Sequence, residues 1–358
     1  MNKECKKAIM NGYPEPEERI IRIMEVCGTH TQSISKSGIR YLLPEYVKLL
    51  SGPGCPVCVT NETYIDEAIE LLSRDNIIIA TFGDMLKVKG TYLSLADKKS
   101  KDNVITVYSP EDAITLARKK QDKTVVFLAV GFETTAPIFA ATIKNVYENG
   151  PNNLFFLTAL KRMEPVLYFI LKNESKRIDG LICPGHVASV LGADAFQFVT
   201  DKFQIPAVVS GFEAEEIKCG IYNLLDQIEG RKPVAFSNLY ERCVSATGNK
   251  LAQQYMNEVY KAEDGYWRGI GLVPNSALGL QEKYKRLDAK NKFNLSEKVL
   301  FKSSVCQCSE IILGIKAPYE CKQFGLSCTP ETPLGPCMIS SEGACSAHYK
   351  YGRVAFGK

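Results

Sequence analysis

Thr124-Val125-Val126-Phe127-Leu128-Ala129-Val130, followed at once by Gly131-Phe132-Glu133-Thr134-Thr135-Ala136-Pro137, decides the fold. The first seven residues carry no charge and read as a strand buried on both faces. The residues after Gly131 open a helix over 134–147. Strands covered on both faces belong to parallel sheets with helices packed on each side. The same alternation runs outward in both directions. Upstream, strands are predicted at 20–26, 47–50, 77–80 and 104–107, with a helix over 62–74. Ser109-Pro110-Glu111-Asp112 opens another helix with a capping residue, proline at the first position and acids in the first turn. Downstream, strands at 154–157, 178–182 and 207–209 alternate with helices over 164–171, 193–202 and 213–228. The expected class is α/β: two parallel-sheet α/β domains plus a smaller, loop-rich C-terminal domain. The expected boundaries are 19–120, 121–232 and 233–358, the last packed with residues 1–18. In that last part an amphipathic helix is read over 247–260; beyond it glycine, proline and serine are frequent and periodicity fades.

Length and composition agree with this organisation. A chain of 358 residues has room for two to three domains and a large core. The net charge of +4 comes from scattered, interleaved charges. The densest basic run, Lys98-Lys99-Ser100-Lys101, is flanked by Asp97 and Asp102 and reads as a solvated loop rather than a nucleic-acid footprint. No stretch approaches the roughly 18 consecutive apolar residues of a membrane span. The Lys- and Glu-rich start lacks the apolar core of a signal peptide, so a cytoplasmic location is expected.

The chemistry-bearing residues lie where strands end, the usual place for ligand sites in open α/β sheets. Cys27-Gly28-Thr29-His30 follows the first strand and presents a thiol beside an imidazole. A helix starting there would favour the thiolate, which is both a nucleophile and a soft metal ligand. The plain alternative is a buried cysteine beside a capping threonine. Cys55-Pro56-Val57-Cys58 is a C-x-x-C that suits a reversible disulfide; it has no second C-x-x-C to complete a zinc site. Glu133 and His186 suit proton transfer or ligand orientation, and Thr134 or Thr135 suits a helix cap. Gly211-Phe212-Glu213 repeats the Gly-Phe-Glu tripeptide of 131–133 after another strand, which is weak evidence of duplication.

Of the 13 cysteines, Cys306, Cys308, Cys321, Cys328, Cys337 and Cys345 crowd into the end of the chain. Zinc sites usually show tight C-x2–4-C pairs. The wider spacings here, with Pro318, Pro330, Pro333 and Pro336 between them, favour an iron–sulfur cluster held by loops, with zinc and chance as alternatives.

Five stretches together resemble the HypD family of [NiFe]-hydrogenase maturation factors. They are Met24-Glu25-Val26-Cys27-Gly28-Thr29-His30-Thr31, Gly52-Pro53-Gly54-Cys55-Pro56-Val57-Cys58-Val59-Thr60, Gly131-Phe132-Glu133-Thr134-Thr135-Ala136-Pro137, Pro184-Gly185-His186-Val187, and the run from Cys328 to Ser340-Ser341-Glu342-Gly343-Ala344-Cys345. The resemblance implies a scaffold on which iron receives two cyanides and one carbon monoxide. It implies a small HypC-like chaperone, a HypE-like cyanide donor with HypF upstream, and the hydrogenase large subunit as final recipient. Nucleic acid and membrane are not expected partners. By the same resemblance Cys27 would ligate the iron, His30 would tune or orient that site, and Cys55 and Cys58 would form a redox dithiol. Glu133, Thr134 and His186 would line the cleft. Cys321, Cys328, Cys337 and Cys345 would hold a [4Fe–4S] cluster, with Cys308 a candidate to replace one of them. The competing reading is a stand-alone iron–sulfur-dependent thiol–disulfide reductase. A zinc-stabilised binding module is a third.

Overall fold

The computed structural model describes residues 19–100, 102–174, 177–295 and 305–352. The expected packing of residues 1–18 lies outside the described residues. The chain forms two compact units, and both are woven from separate stretches. The first takes its described structure from the segments ending at Cys55, running from Val166 to Asn249, and starting at Cys306. The second takes Pro56–Pro165 and Lys250–Val305. The expected consecutive boundaries therefore do not coincide with these units, because strands distant in sequence pair with one another.

In the first unit, β1 (Ile21–Glu25) leads into α1 (Gly28–Lys36), and β2 (Val47–Ser51) follows. In the second unit, α2 (Glu62–Leu71), β3 (Ile77–Thr81), β4 (Val104–Thr106), α3 (Pro110–Lys119), β5 (Thr124–Gly131), α4 (Ala136–Asn149) and β6 (Leu154–Leu160) come next. The chain begins α5 (Met163–Glu174), then adds β7 (Gly180–Cys183), α6 (Gly185–Leu191), β8 (Ala207–Val209), α7 (Ala214–Ile228) and β9 (Phe236–Asn238) to the first unit. It then adds α8 (Lys250–Val259), β10 (Tyr260–Trp267) and β11 (Gly271–Leu280) to the second.

The first unit's sheet has the order β2-β1-β7-β8-β9, and every pairing in it is parallel. Its core joins Ile23, Ile182 and Val208 on the strands to Ile34 on α1 and Ile217, Ile221 and Leu224 on α7. The second unit's sheet, β4-β3-β5-β6, is also wholly parallel. Here β5 is buried from Val125 to Gly131, as its uncharged sequence requires. A parallel sheet sends all its strand ends to one edge. The loops after β1, β2, β7 and β8 therefore share an edge, and these loops carry Cys27, Cys55, His186 and Phe212.

Some elements differ from the sequence reading. The helix expected over 247–260 ends at Val259, and Tyr260 starts an antiparallel hairpin, β10–β11, where irregular chain was expected. Its alternation is hidden by Lys261, Glu263 and Asp264 and by a bulge between Glu263 and Gly265. The helix expected over 193–202 is a 3-10 turn, Ala193–Phe196, followed by a short helix, Phe198–Phe203. No described helix is long and apolar enough to cross a membrane.

Ser109 caps α3 as its sequence requires: Ser109 Oγ accepts the Asp112 amide, and the Asp112 carboxylate accepts the Ser109 amide. Ser109→Ala should lower stability by about 1 kcal/mol, read as a reduced denaturation midpoint at unchanged m-value.

Candidate functional site

Cys27 occupies the turn between β1 and α1, in extended conformation, immediately before the first helical residue. The backbone amides of Thr29 and His30 face its sulfur, so the thiol sits in the positive field of a helix N-terminus. Burial outweighs that field and pushes the thiol up to about 12, assisted by the nearby Glu342 and Glu25 carboxyls. Cys27 is therefore a protected, protonated thiol at neutral pH. A bound cation would reverse the balance.

The glycines of the second loop fit against this turn. Gly52 donates its amide to Glu25 O at 2.7 Å, and Gly28 donates to Gly54 O at 3.1 Å. A Cβ on Gly54 would lie 2.4 Å from Cys27 N, so the two backbones approach as closely as glycine allows. Cys55 follows and is buried. Cys58 is buried in the one-turn helix Pro56–Val59 and counts with the second unit.

His186 stands at the start of α6, with Nδ1 4.0 Å from Cys27 Sγ. Although the residue is exposed, its ring is partly withdrawn from water, which lowers its pKa and favours the neutral, proton-accepting form. His30 is held through both its backbone and its ring. Its backbone amide meets Cys27, while its fully buried ring bonds Gly211 O through Nε2 at 3.0 Å and packs against Phe212. Burial pulls this imidazole down to about 4.

Two carboxyls that the sequence reading left without roles complete the site. Glu25 is buried beneath the turn: Oε2 accepts the Cys27 amide at 3.2 Å and Oε1 accepts the Thr31 hydroxyl at 2.5 Å. Burial pushes it up to about 7. Glu342 accepts the Thr29 hydroxyl at 3.2 Å, and its side chain fills the space a Cβ on Gly28 would need. Both lie inside the quoted motifs, at Met24-Glu25-Val26 and Ser341-Glu342-Gly343. Their roles were hidden because the contacts to Cys27 and Thr29 are made only in the folded chain.

Glu133 and Thr134 belong to the second unit. Glu133 is buried at the end of β5, its Oε1 accepting the Met163 amide at the start of α5 at 2.8 Å, while Oε2 has no hydrogen-bond partner. Thr134 is exposed. Thr135 precedes α4 without a side-chain cap bond, so neither threonine caps the helix by its hydroxyl.

In the terminal segment, Cys306, Cys308, Cys321, Cys328 and Cys345 line one cavity together with Gln307, Gln323 and apolar neighbours. Cys306 and Cys308 sulfurs are 3.0 Å apart. Cys337 is fully buried on the one-turn helix Pro336–Ile339. A hydrogen bond with Cys308 raises the Cys345 thiol, together with burial and the nearby Cys337, Cys308 and Cys306. Among the described residues no three or more His, Cys, Asp or Glu form a ready metal cage. The donor chemistry, soft sulfur without competing carboxylate, fits an iron–sulfur cluster. The cavity brings together Cys321, Cys328 and Cys345 of the expected set and adds Cys306 and Cys308.

A family model described as HypD, hydrogenase formation hypA family, matches residues 2–352. A Methanocaldococcus jannaschii protein named for hydrogenase expression and formation is 41% identical over 353 residues, spanning 98% of this chain and 97% of that one. The Escherichia coli hydrogenase maturation factor HypD is 40% identical over 337 residues, 93% of this chain and 90% of its own. HypD2 of Bradyrhizobium diazoefficiens is 39% identical over 342 residues, with 93% and 90% covered.

Burial pushes Glu133 up to about 7 from an unfolded value of 4.5. Between those values the unfolded carboxyl ionises while the folded one stays protonated. Stability contributed by the neutral form is thus complete below pH 4.5 and lost as pH rises through about 7. Glu133→Gln should remove this loss, gaining on the order of 3 kcal/mol over wild type at pH 8 relative to pH 4. Parallel denaturation curves across that range check it; identical slopes would refute it.

Proposed function

The chain belongs to the HypD family, and from that premise we propose that it is a hydrogenase maturation factor acting as the scaffold on which an iron atom receives two cyanides and one carbon monoxide. The observation that carries this reading is the Cys27 sulfur, set at the N-terminus of α1 with His186 Nδ1 4.0 Å away. The cargo iron is the substrate. Cys27 binds it as the thiolate, so its proton must leave on binding, and His186 is placed to accept it. The amides of Thr29 and His30 then stabilise the sulfur's negative charge. Glu25 holds the Cys27 peptide through its amide, and Gly54 brings the second loop against it.

In this proposal a HypC-like chaperone supplies a second thiolate to the iron, and a HypE-like protein, charged through HypF, delivers the cyanides. The finished group passes to the hydrogenase large subunit. Cys55 and Cys58 form a dithiol that releases two electrons and two protons on closing to a disulfide. Four of the terminal thiols would hold a [4Fe–4S] cluster, which supplies one-electron reduction when bound. The soft thiols of their cavity, with no carboxylate among its lining residues, support this assignment.

Anaerobic co-expression with the chaperone and cyanide-donating proteins should give infrared bands in the cyanide and carbonyl stretching region. Analysis should find about four irons and four sulfides beyond the cargo iron. Cys27→Ala should abolish the bands. Cys55→Ala and Cys58→Ala should abolish them while leaving the visible spectrum of the cluster intact. Bands that persist in Cys27→Ala would overturn the scaffold reading. An intact cluster without bands in the wild type would favour the stand-alone reductase.

A further inference from the structure

We propose that Phe212 is a positioning residue for the Cys27 site, its ring clamping the His186 imidazole beside the sulfur. The inference deepens the scaffold reading and rests on it for its biological meaning. It starts from an otherwise unexplained feature. The His186 residue is exposed, and an exposed imidazole ordinarily samples several rotamers. Here its ring stacks on Phe212, with centroids 4.1 Å apart and planes 26° apart. This stack and the Cys27 contact at 4.0 Å are placed to fix the ring between them.

Phe212 is itself held from several sides. His30 lies 4.5 Å from its centroid, at an interplanar angle of 33°. That second imidazole cannot drift: it is fully buried and anchored on Gly211 O. Tyr240 meets the Phe212 ring edge-on, at 5.9 Å and 85°. Gly185 gives the ring its room, since a Cβ there would fall 3.1 Å from Phe212 Cζ and 2.9 Å from Ser210 O. The result is a relay of contacts, His30 to Phe212 to His186 to Cys27, across the loops after β8, β7 and β1. It gives His30 a role consistent with its position: its ring supports the wedge that orients His186. It also gives a use to the Gly211-Phe212-Glu213 turn.

The chemistry needs an aromatic face at 212. A leucine has similar bulk but no flat surface for an imidazole to stack on; a tyrosine keeps the face. The test follows Cys27 alkylation by iodoacetamide at fixed pH in the full-length free protein, by mass spectrometry of the Cys27 peptide. Phe212→Leu should slow it about fivefold, Phe212→Tyr should restore the wild-type rate, and His186→Ala should slow it as Phe212→Leu does. In the His186→Ala background Phe212→Leu should add nothing, because it acts through that ring. Equal losses in the leucine and tyrosine variants, or additive losses in the double variant, would overturn the proposal.

A measurement on the unmodified sequence guards against variants that fail to fold. The chain has three histidines, so carbon-13 histidine labelling resolves their ring protons. The His186 ring protons should be shifted upfield by the Phe212 face; unshifted resonances would refute the stack. These readouts need no cargo. Failure of the scaffold reading, seen as cyanide and carbonyl bands that survive Cys27→Ala, is therefore separable from failure of the clamp.

Discussion

The thiol site depends on the contact between two peptide backbones, those of Gly54 and Cys27. β1 and β2 are adjacent and parallel, so their following loops leave the same edge of the sheet. The bond from Gly52 to Glu25 continues their pairing past Ser51, and the bond from Gly28 to Gly54 ties the second loop to the helix start. Only a residue without Cβ permits this approach. Because Cys55 is the next residue, the same glycine fixes how near the C-x-x-C begins to Cys27, since consecutive Cα atoms are about 3.8 Å apart. The sequence Gly-Pro-Gly-Cys is therefore a spacing device as much as a turn.

On that frame, electrostatics hold Cys27 in reserve. Helix amides favour its thiolate, while burial and two carboxyls oppose it, and the opposition prevails. The same carboxyls change sign in their effect once a cation is present. A cation at the sulfur would be attracted by Glu25 and Glu342 and would favour loss of the thiol proton. A buried neutral thiol is poorly reactive toward oxidants, since the thiolate is the nucleophile. Without a bound cation, a site arranged in this way is protected.

Much of the architecture is legible in the chain because buried parallel strands need uncharged runs, and those at 124–130, 154–157 and 180–183 are plain. The site loops are legible because chemistry concentrates where such runs end. Pairing over long separations is not local information: nothing within Met24-Glu25-Val26 states that β1 will lie beside β7. The same limit hid the interleaved units. The hairpin was hidden for a different reason: Glu263, Asp264 and Gly265 interrupt its alternation at a bulge. His30 shows the limit for function. Proximity in sequence set the His30 imidazole beside the Cys27 thiol, whereas three residues into a helix the ring has turned toward Gly211 and Phe212.

The terminal cysteines show why spacing alone did not name a ligand set. Six thiols in one short segment are small, soft and readily buried, so the segment can close around them as uncharged side chains. Their electrostatics favour that state, since each thiolate raises its neighbours: Cys328 is raised by burial and by Cys306 and Cys308, and Cys345 by Cys308 and Cys337. Ionising several at once requires a compensating positive charge, as a metal cluster provides. Packing constrains them as well. A Cβ on Gly335 would fall 2.3 Å from the Cys306 sulfur and 2.8 Å from that of Cys308, so the loop entering Pro336-Cys337 presses directly on that pair. The fit of Gly335 against Cys306 and Cys308 constrains where those two sulfurs lie, and no count of residues between cysteines contains that constraint.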